Sequence, residues 1–194
     1  MESRAKFLGH PVHPMLIVFP LGLLATAVIF DIIALFVQAP PWNEVAFYLI
    51  GAGVIGGIVA AVFGWVDWTA IPSGTRAKRI GLTHGIGNVV VVALFALSWV
   101  LRRDQPAMPS TEAVVAGIVG LVIALFTGWL GGELVDRLGV GVDEGAHLNA
   151  PSSLSELPAS TNRGGGPGSA RWTGPERRMQ PAHAYAGVER RRVR

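Results

Sequence analysis

Four apolar runs govern what this chain can fold into. They occupy about residues 15–37, 45–66, 80–101 and 113–135, and none holds more than one formal charge. A helix needs about 20 apolar residues to cross the hydrocarbon core of a bilayer. Each run is long enough, and the links between them are short. Composition agrees: 51% of the residues are hydrophobic and 15% are charged, against about 25% charged in soluble domains. The reading is an all-α, integral membrane four-helix up-down bundle over residues 5–143. Residues 144–194 are rich in Gly, Pro and Arg, and too poor in apolar surface to offset ordering entropy. They read as a disordered, basic C-terminal tail. Before the first run stands only a short basic leader, Arg4 and Lys6. That run is too long for a signal-peptide core and no small-residue cleavage site follows it, so a retained helix is expected. The chain has no cysteine, which excludes disulfides, thiolate metal sites and cysteine catalysis.

Local signals refine the spans. Pro20 lies one turn inside the first and removes a backbone hydrogen bond, which predicts a kink. The turn 38–43 ends that helix. Gly53 and Gly57 in the second span, and Gly128 and Gly132 in the fourth, have the spacing that lets membrane helices approach closely. Trp65 and Trp68 close the second span and fit an interfacial belt. Residues 71–79 read as a polar connection. Thr111, followed by Glu112, is an N-cap candidate for the fourth span.

Up-down topology puts the N-terminus, the link between spans two and three, and the C-terminus on one side. The basic residues there are Arg4, Lys6, Arg76, Lys78, Arg79 and Arg137; the other side has Arg102 and Arg103. The positive-inside rule then predicts both termini in the cytoplasm.

The same topology gathers polar groups at one mouth. His10 and His13, in Gly9-His10-Pro11-Val12-His13-Pro14, precede helix one. Asp67 ends helix two, His84 begins helix three and Glu133 ends helix four. Asn88 shares a face with His84, four residues on. Ionisable groups at membrane depth are costly and face the bundle interior or water. Imidazole with carboxylate suits a transition metal, with His10, His13, His84, Asp67 and Glu133 as candidate ligands. Two imidazoles on facing helices also suit haem iron, with His10, His13 and His84 as candidates. A proton relay is a third use, and each group has a plain reading as an interface residue bonded to water, headgroups or helix ends. Asp31 stands roughly 27 Å from His13 at 1.5 Å per residue, so it is expected outside this site. It is assigned chiefly to water at the outer face, with Arg102 or Arg103 as the alternative partner. His147 and His183, in the tail, receive no role.

Several blocks in order carry a resemblance. They are the His-Pro motif, Phe19-Pro20-Leu21-Gly22, Gly64-Trp65-Val66-Asp67-Trp68 with Ile71-Pro72-Ser73-Gly74-Thr75, His84 with Asn88, and Gly128-Trp129-Leu130-Gly131-Gly132-Glu133-Leu134-Val135 with Gly139-Val140-Gly141-Val142. Over about residues 5–143 the chain resembles the bacterial membrane proteins grouped as "domain of unknown function 2231". The resemblance implies a four-helix membrane domain whose activity is not established. Relatives joined to cytochrome c or Rieske-type modules tilt the implied setting toward redox or metal chemistry. One block departs from the family pattern. Where relatives often carry Tyr-Arg-His, this chain reads Asp136-Arg137-Leu138.

Two functional expectations follow. The first is a cytoplasmic-side His/Asp cluster holding a transition metal or haem in a redox or metal-handling role. Its partners would be the lipid bilayer and a membrane or electron-transfer protein. The second is a scaffold without cofactor, whose glycine faces recruit partner helices, a homo-oligomer included. No serine or cysteine elbow, phosphate loop or HExxH pair supports hydrolysis or phosphate transfer, which leaves enzymatic activity an open assignment. The basic tail brings no folded nucleic-acid module.

Overall fold

A computed structural model describes residues 1–37, 41–155 and 157–161. Among the described residues four helices are long and apolar enough to cross a membrane: Val12–Val37, Pro41–Ala70, Arg76–Leu101 and Thr111–Arg137. A short hairpin, β1 (Lys6–Phe7) and β2 (His10–Pro11), precedes them, with Lys6 opposite Pro11 and Phe7 opposite His10. Leu8 and Gly9 both take positive φ, 50° and 83°, as a two-residue turn matched to strand twist requires.

The first span divides into α1 (Val12–Leu16) and α2 (Val18–Val37). Pro20 lacks the N–H that the Leu16 carbonyl would receive, so the interruption falls one turn before the proline. The next helix, α3 (Pro41–Ala70), starts earlier and ends later than 45–66. Pro41 fits the first helical position, where no donor is needed, and Trp65 to Trp68 are helical throughout. The turn expected at 38–43 lies partly outside the described residues. Helix α4 (Arg76–Leu101) takes up Arg76 to Arg79, which had read as connection. Its N-cap is Thr75, whose hydroxyl accepts from the Lys78 amide at 3.1 Å. Helix α5 (Thr111–Gly132) is capped by Ser110, one residue before the expected Thr111, and passes into a π-helical turn, Glu133–Arg137. Of the tail expected from 144 onward, the described residues trace turns. One of them meets the start of the chain, where Ser153 Oγ lies 3.1 Å from His10 Nε2.

α2 packs chiefly along α3, and α4 along α5, as two antiparallel hairpins that then meet through α3 with α4 and α2 with α5. The shared core is Leu24, Ala27, Val28, Ala46, Ile50, Val91 and Phe95. Outward faces are apolar too: Tyr48, Ile55, Val62 and Trp65 on α3 are all exposed, the surface that a lipid solvent demands. At one end the Met1 amine donates to the Gly139 carbonyl at 2.9 Å. At the other, Asn43 Nδ2 donates to the Ala107 carbonyl at 3.0 Å.

Near that second end the structure overturns the preferred assignment of Asp31. It does not reach water. Asp31 is 1% exposed and Arg102 0%, and the guanidinium donates to both carboxylate oxygens at 2.9 and 3.0 Å. Arg102 Nη2 also donates to Ser98 Oγ at 2.9 Å, and Ser98 Oγ donates to the Ala113 carbonyl at 2.6 Å. Among the described residues no buried side-chain nitrogen or oxygen lacks a partner. The reason is solvation: neither charge survives alone in an apolar interior, whereas a planar fork answers both carboxylate oxygens together. The network joins α2, α4 and α5. Arg102→Ala is expected to cost about 3–5 kcal/mol, because it leaves Asp31 buried and uncompensated. Asp31→Ala with Arg102→Ala should be milder than Arg102→Ala alone. Unfolding in detergent measures both, and a double variant as damaged as the single would discount the charge explanation.

Candidate functional site

The mouth at the first end is assembled from two histidines. α1 presents His13 to α3, where Nδ1 lies 2.9 Å from the carbonyl of Ala60. A carbonyl only accepts, so Nδ1 carries a proton, which in a neutral imidazole leaves the lone pair on Nε2. The ring fits because Gly64, one turn further along α3, has no side chain. A Cβ there would stand 2.9 Å from His13 Cε1. α4 presents His84 to α5 in the same way. Its Nδ1 donates to the Thr127 carbonyl at 2.8 Å, and a Cβ at Gly131 would stand 3.2 Å from His84 Cε1. The two imidazole centroids are 6.5 Å apart with planes at 86°.

His84 has further support. Asn88 Nδ2 approaches its Nε2 at 3.1 Å and donates to its carbonyl at 2.9 Å. Thr127 Oγ1 donates to Asn88 Oδ1 at 3.0 Å, closing a ring of hydrogen bonds through His84, Asn88 and Thr127. His13 Nε2 has no hydrogen-bond partner among the described residues. One imidazole is thus engaged at both ring nitrogens and the other at Nδ1 alone.

The remaining candidates go elsewhere. His10 sits on the exposed hairpin beside Ser153. Asp67 Oδ1 accepts from Ser3 Oγ at 2.6 Å and from the amides of Arg4 and Ala5 at 2.9 and 3.2 Å. Glu133 Oε1 receives Arg76 Nη2 at 2.6 Å. Among the described residues no three His, Asp or Glu side chains group to hold a metal ion. Of the five residues picked out by topology, His13 and His84 are the two that meet. The reason is helix rotation and reach: Asp67 and Glu133 lie at the same end but turn toward the N-terminal segment and toward Arg76. The Ala60 and Thr127 carbonyls escaped the sequence reading, since backbone acceptors leave no composition signal. Thr127, a lone polar residue deep in an apolar run, was the visible hint.

Asp67 instead fastens the chain's first residues across the mouth. Lys6 adds to this, donating to Glu2 at 2.8 Å and Asp143 at 2.6 Å. The hydrogen bond that Lys6 donates to Asp143, with the one it donates to Glu2, raises the Lys6 pKa. The hydrogen bond from Lys6 and the Glu144 amide lower that of Glu2. Asp67→Ala leaves three donors without their acceptor, at about 1–3 kcal/mol. Limited proteolysis should then cut within residues 1–11 while the four spans stay intact; unchanged protection would remove Asp67 from this role.

A protein-family model described as "Predicted membrane protein (DUF2231)" matches residues 9–144. No curated protein and no solved structure gives a significant match.

Proposed function

The chain belongs to the DUF2231 family of predicted membrane proteins, and from the geometry of its mouth we propose that the His13–His84 pair binds a transition metal or haem iron, in a redox or metal-handling role. The observation that carries this reading is the way each imidazole is held. Both donate Nδ1–H to a main-chain carbonyl of the neighbouring helix. That second contact is what fixes tautomer and aim in metal-binding histidines, leaving Nε2 as the ligand. His13 and His84 would ligate a haem iron through two imidazoles, whereas a structural zinc site takes four ligands. His10, Asp67 and Glu133 turn toward Ser153, residues 3–5 and Arg76 and drop out of the proposed inner set.

The site faces the cytoplasm in this reading, in a bacterial inner membrane. Arg4, Lys6, Arg76, Lys78, Arg79 and Arg137 cluster at the mouth end. At the far end Arg102 is spent on Asp31, which leaves Arg103 as the counterweight among the described residues. Protein purified gently in detergent is expected to show a Soret band or a stoichiometric metal by elemental analysis, lost in His84→Ala. A colourless, metal-free wild type would overturn the reading.

One observation favours a scaffold instead. Gly53 and Gly57 are taken up inside the bundle against Leu24 and Val92, but Cβ atoms at Gly128 and Gly132 would meet open space. If that strip receives a partner helix, Gly128→Leu changes the oligomeric state in detergent and His84→Ala does not. An unaltered elution profile for Gly128→Leu dismisses the scaffold.

A further inference from the structure

The two hairpins repeat one another. On the first helix of each, His13 corresponds to His84 at an offset of 71 residues. The same offset carries the buried positions Pro20, Leu24, Ala27 and Asp31 onto Val91, Phe95, Ser98 and Arg102, each of them buried. On the second helix of each, an offset of 67 carries Ala46, Ile50, Gly53 and Ala60 onto Ala113, Gly117, Gly120 and Thr127, again all buried. The contacts repeat with the positions. A Cβ at Gly53 would strike Leu24 at 2.6 Å, and one at Gly120 would strike its counterpart Phe95 at 2.9 Å. Ala60 and Gly64 seat His13 as Thr127 and Gly131 seat His84. The offsets differ by four because Ala46 follows Asp31 by 15 positions and Ala113 follows Arg102 by 11.

Two pairs of equivalent positions touch each other. His13 meets His84 at the mouth, and Asp31 meets Arg102 at the far end, both 71 residues apart. Under twofold symmetry a residue contacts its own equivalent on the axis. Both hairpins start at the mouth end, so the axis runs along the bundle, as in parallel membrane repeats. The halves are also made unlike. One supplies the acid and the other the base, so two first halves would bury two carboxylates and two second halves two guanidiniums. Only the unlike pairing balances.

We infer that the four spans are two copies of one helical hairpin about a pseudo-twofold axis, and that His13 and His84 form on that axis a two-imidazole site for a single metal centre. This rests on the cofactor reading above and narrows it. Each half contributes one histidine, one carbonyl and one glycine, and no carboxylate enters the inner set. The chemistry is that of a metal centre satisfied by two neutral imidazoles, a cuprous ion or a haem iron. The histidine that departs from symmetry is His84, since Asn88 holds its Nε2 where the first half has Ile17. The ligand therefore displaces the Asn88 amide.

The test has two arms on the full chain in detergent. In the first, the probes are haemin and, separately, cuprous ion under reducing conditions. One equivalent of one probe is expected to bind, with binding lost alike in His13→Ala and His84→Ala and kept in His10→Ala, Asp67→Asn and Glu133→Gln. A Soret shift identifies haem, and copper stoichiometry identifies the free ion. Loss in only one of the two histidine variants overturns the two-imidazole site. The second arm exchanges the charges, Asp31→Arg together with Arg102→Asp. Positions related by an axis accept the exchange, so the double variant should recover most of the thermal midpoint and monodispersity lost in Asp31→Arg. A double variant no better than the single overturns the duplication. Failure of both probes on wild type removes the cofactor reading and its ligand, while rescue by charge exchange still reads the axis.

Discussion

A carboxylate and a guanidinium removed from water inside an apolar bundle are tolerable only together, and much of this structure follows from where they meet. Asp31 and Arg102 lie on different hairpins and form two hydrogen bonds in a fixed planar geometry. That contact sets the rotation of α2 and α4 about their own axes. Eighteen residues make five turns of an α-helix at 3.6 per turn. His13 precedes Asp31 by 18 positions and His84 precedes Arg102 by 18. In the unbroken α4 the rotation that joins the charges at one end therefore turns His84 inward at the other, while His13 comes to the mouth on α1, across the interruption at Ile17. Ser98 extends the constraint to α5 through the Ala113 carbonyl. In lipid no hydrophobic drive brings helices together, so a directional polar contact of this kind carries specificity that apolar packing cannot supply.

At the mouth the same economy of polar groups holds. The imidazoles are anchored to backbone carbonyls and accommodated by glycines, so their placement depends on helix packing more than on neighbouring side chains. Asp67 and Glu133 serve the surrounding structure. One fastens residues 3–5, the other pairs with Arg76. Carboxylates at the right depth were drawn into the expected cluster because topology fixes depth without fixing direction. The second half carries Asn88, Ser98, Arg102 and Thr127, where the first has Ile17, Ala27, Asp31 and Ala60. Polar support is concentrated in one hairpin, while the other presents the less encumbered histidine.

The repeat of the two hairpins is plain in burial and faint in residues. Along the first helix of each, His13 with His84, Leu23 with Leu94 and Ala25 with Ala96 are identical; along the second, Ala46 with Ala113, Gly53 with Gly120 and Gly64 with Gly131. Packing constrains size and face at these places and leaves chemical identity free, since volume-conserving apolar exchanges cost little. The matched 18-residue spacings were present to be read. Their meaning required knowing that Asp31 finds Arg102.

What the amino-acid sequence determined alone was the solvent and the topology. Runs of about 20 apolar residues have one stable arrangement in a bilayer, and short links impose alternating directions. The ends on which the histidines, Asp67 and Glu133 fall follow from that. The limits of the helices were less legible, because Thr75 and Ser110 caps draw charged or polar residues into helical turns. Only the tertiary structure decided which residues meet. Helix rotation and the pairing of hairpins arise from side chains far apart in the chain, and near-uniform apolar faces hold no period from which to read them. The same polar residues thus became a buried ion pair, a fastened N-terminal segment and a pair of facing imidazoles.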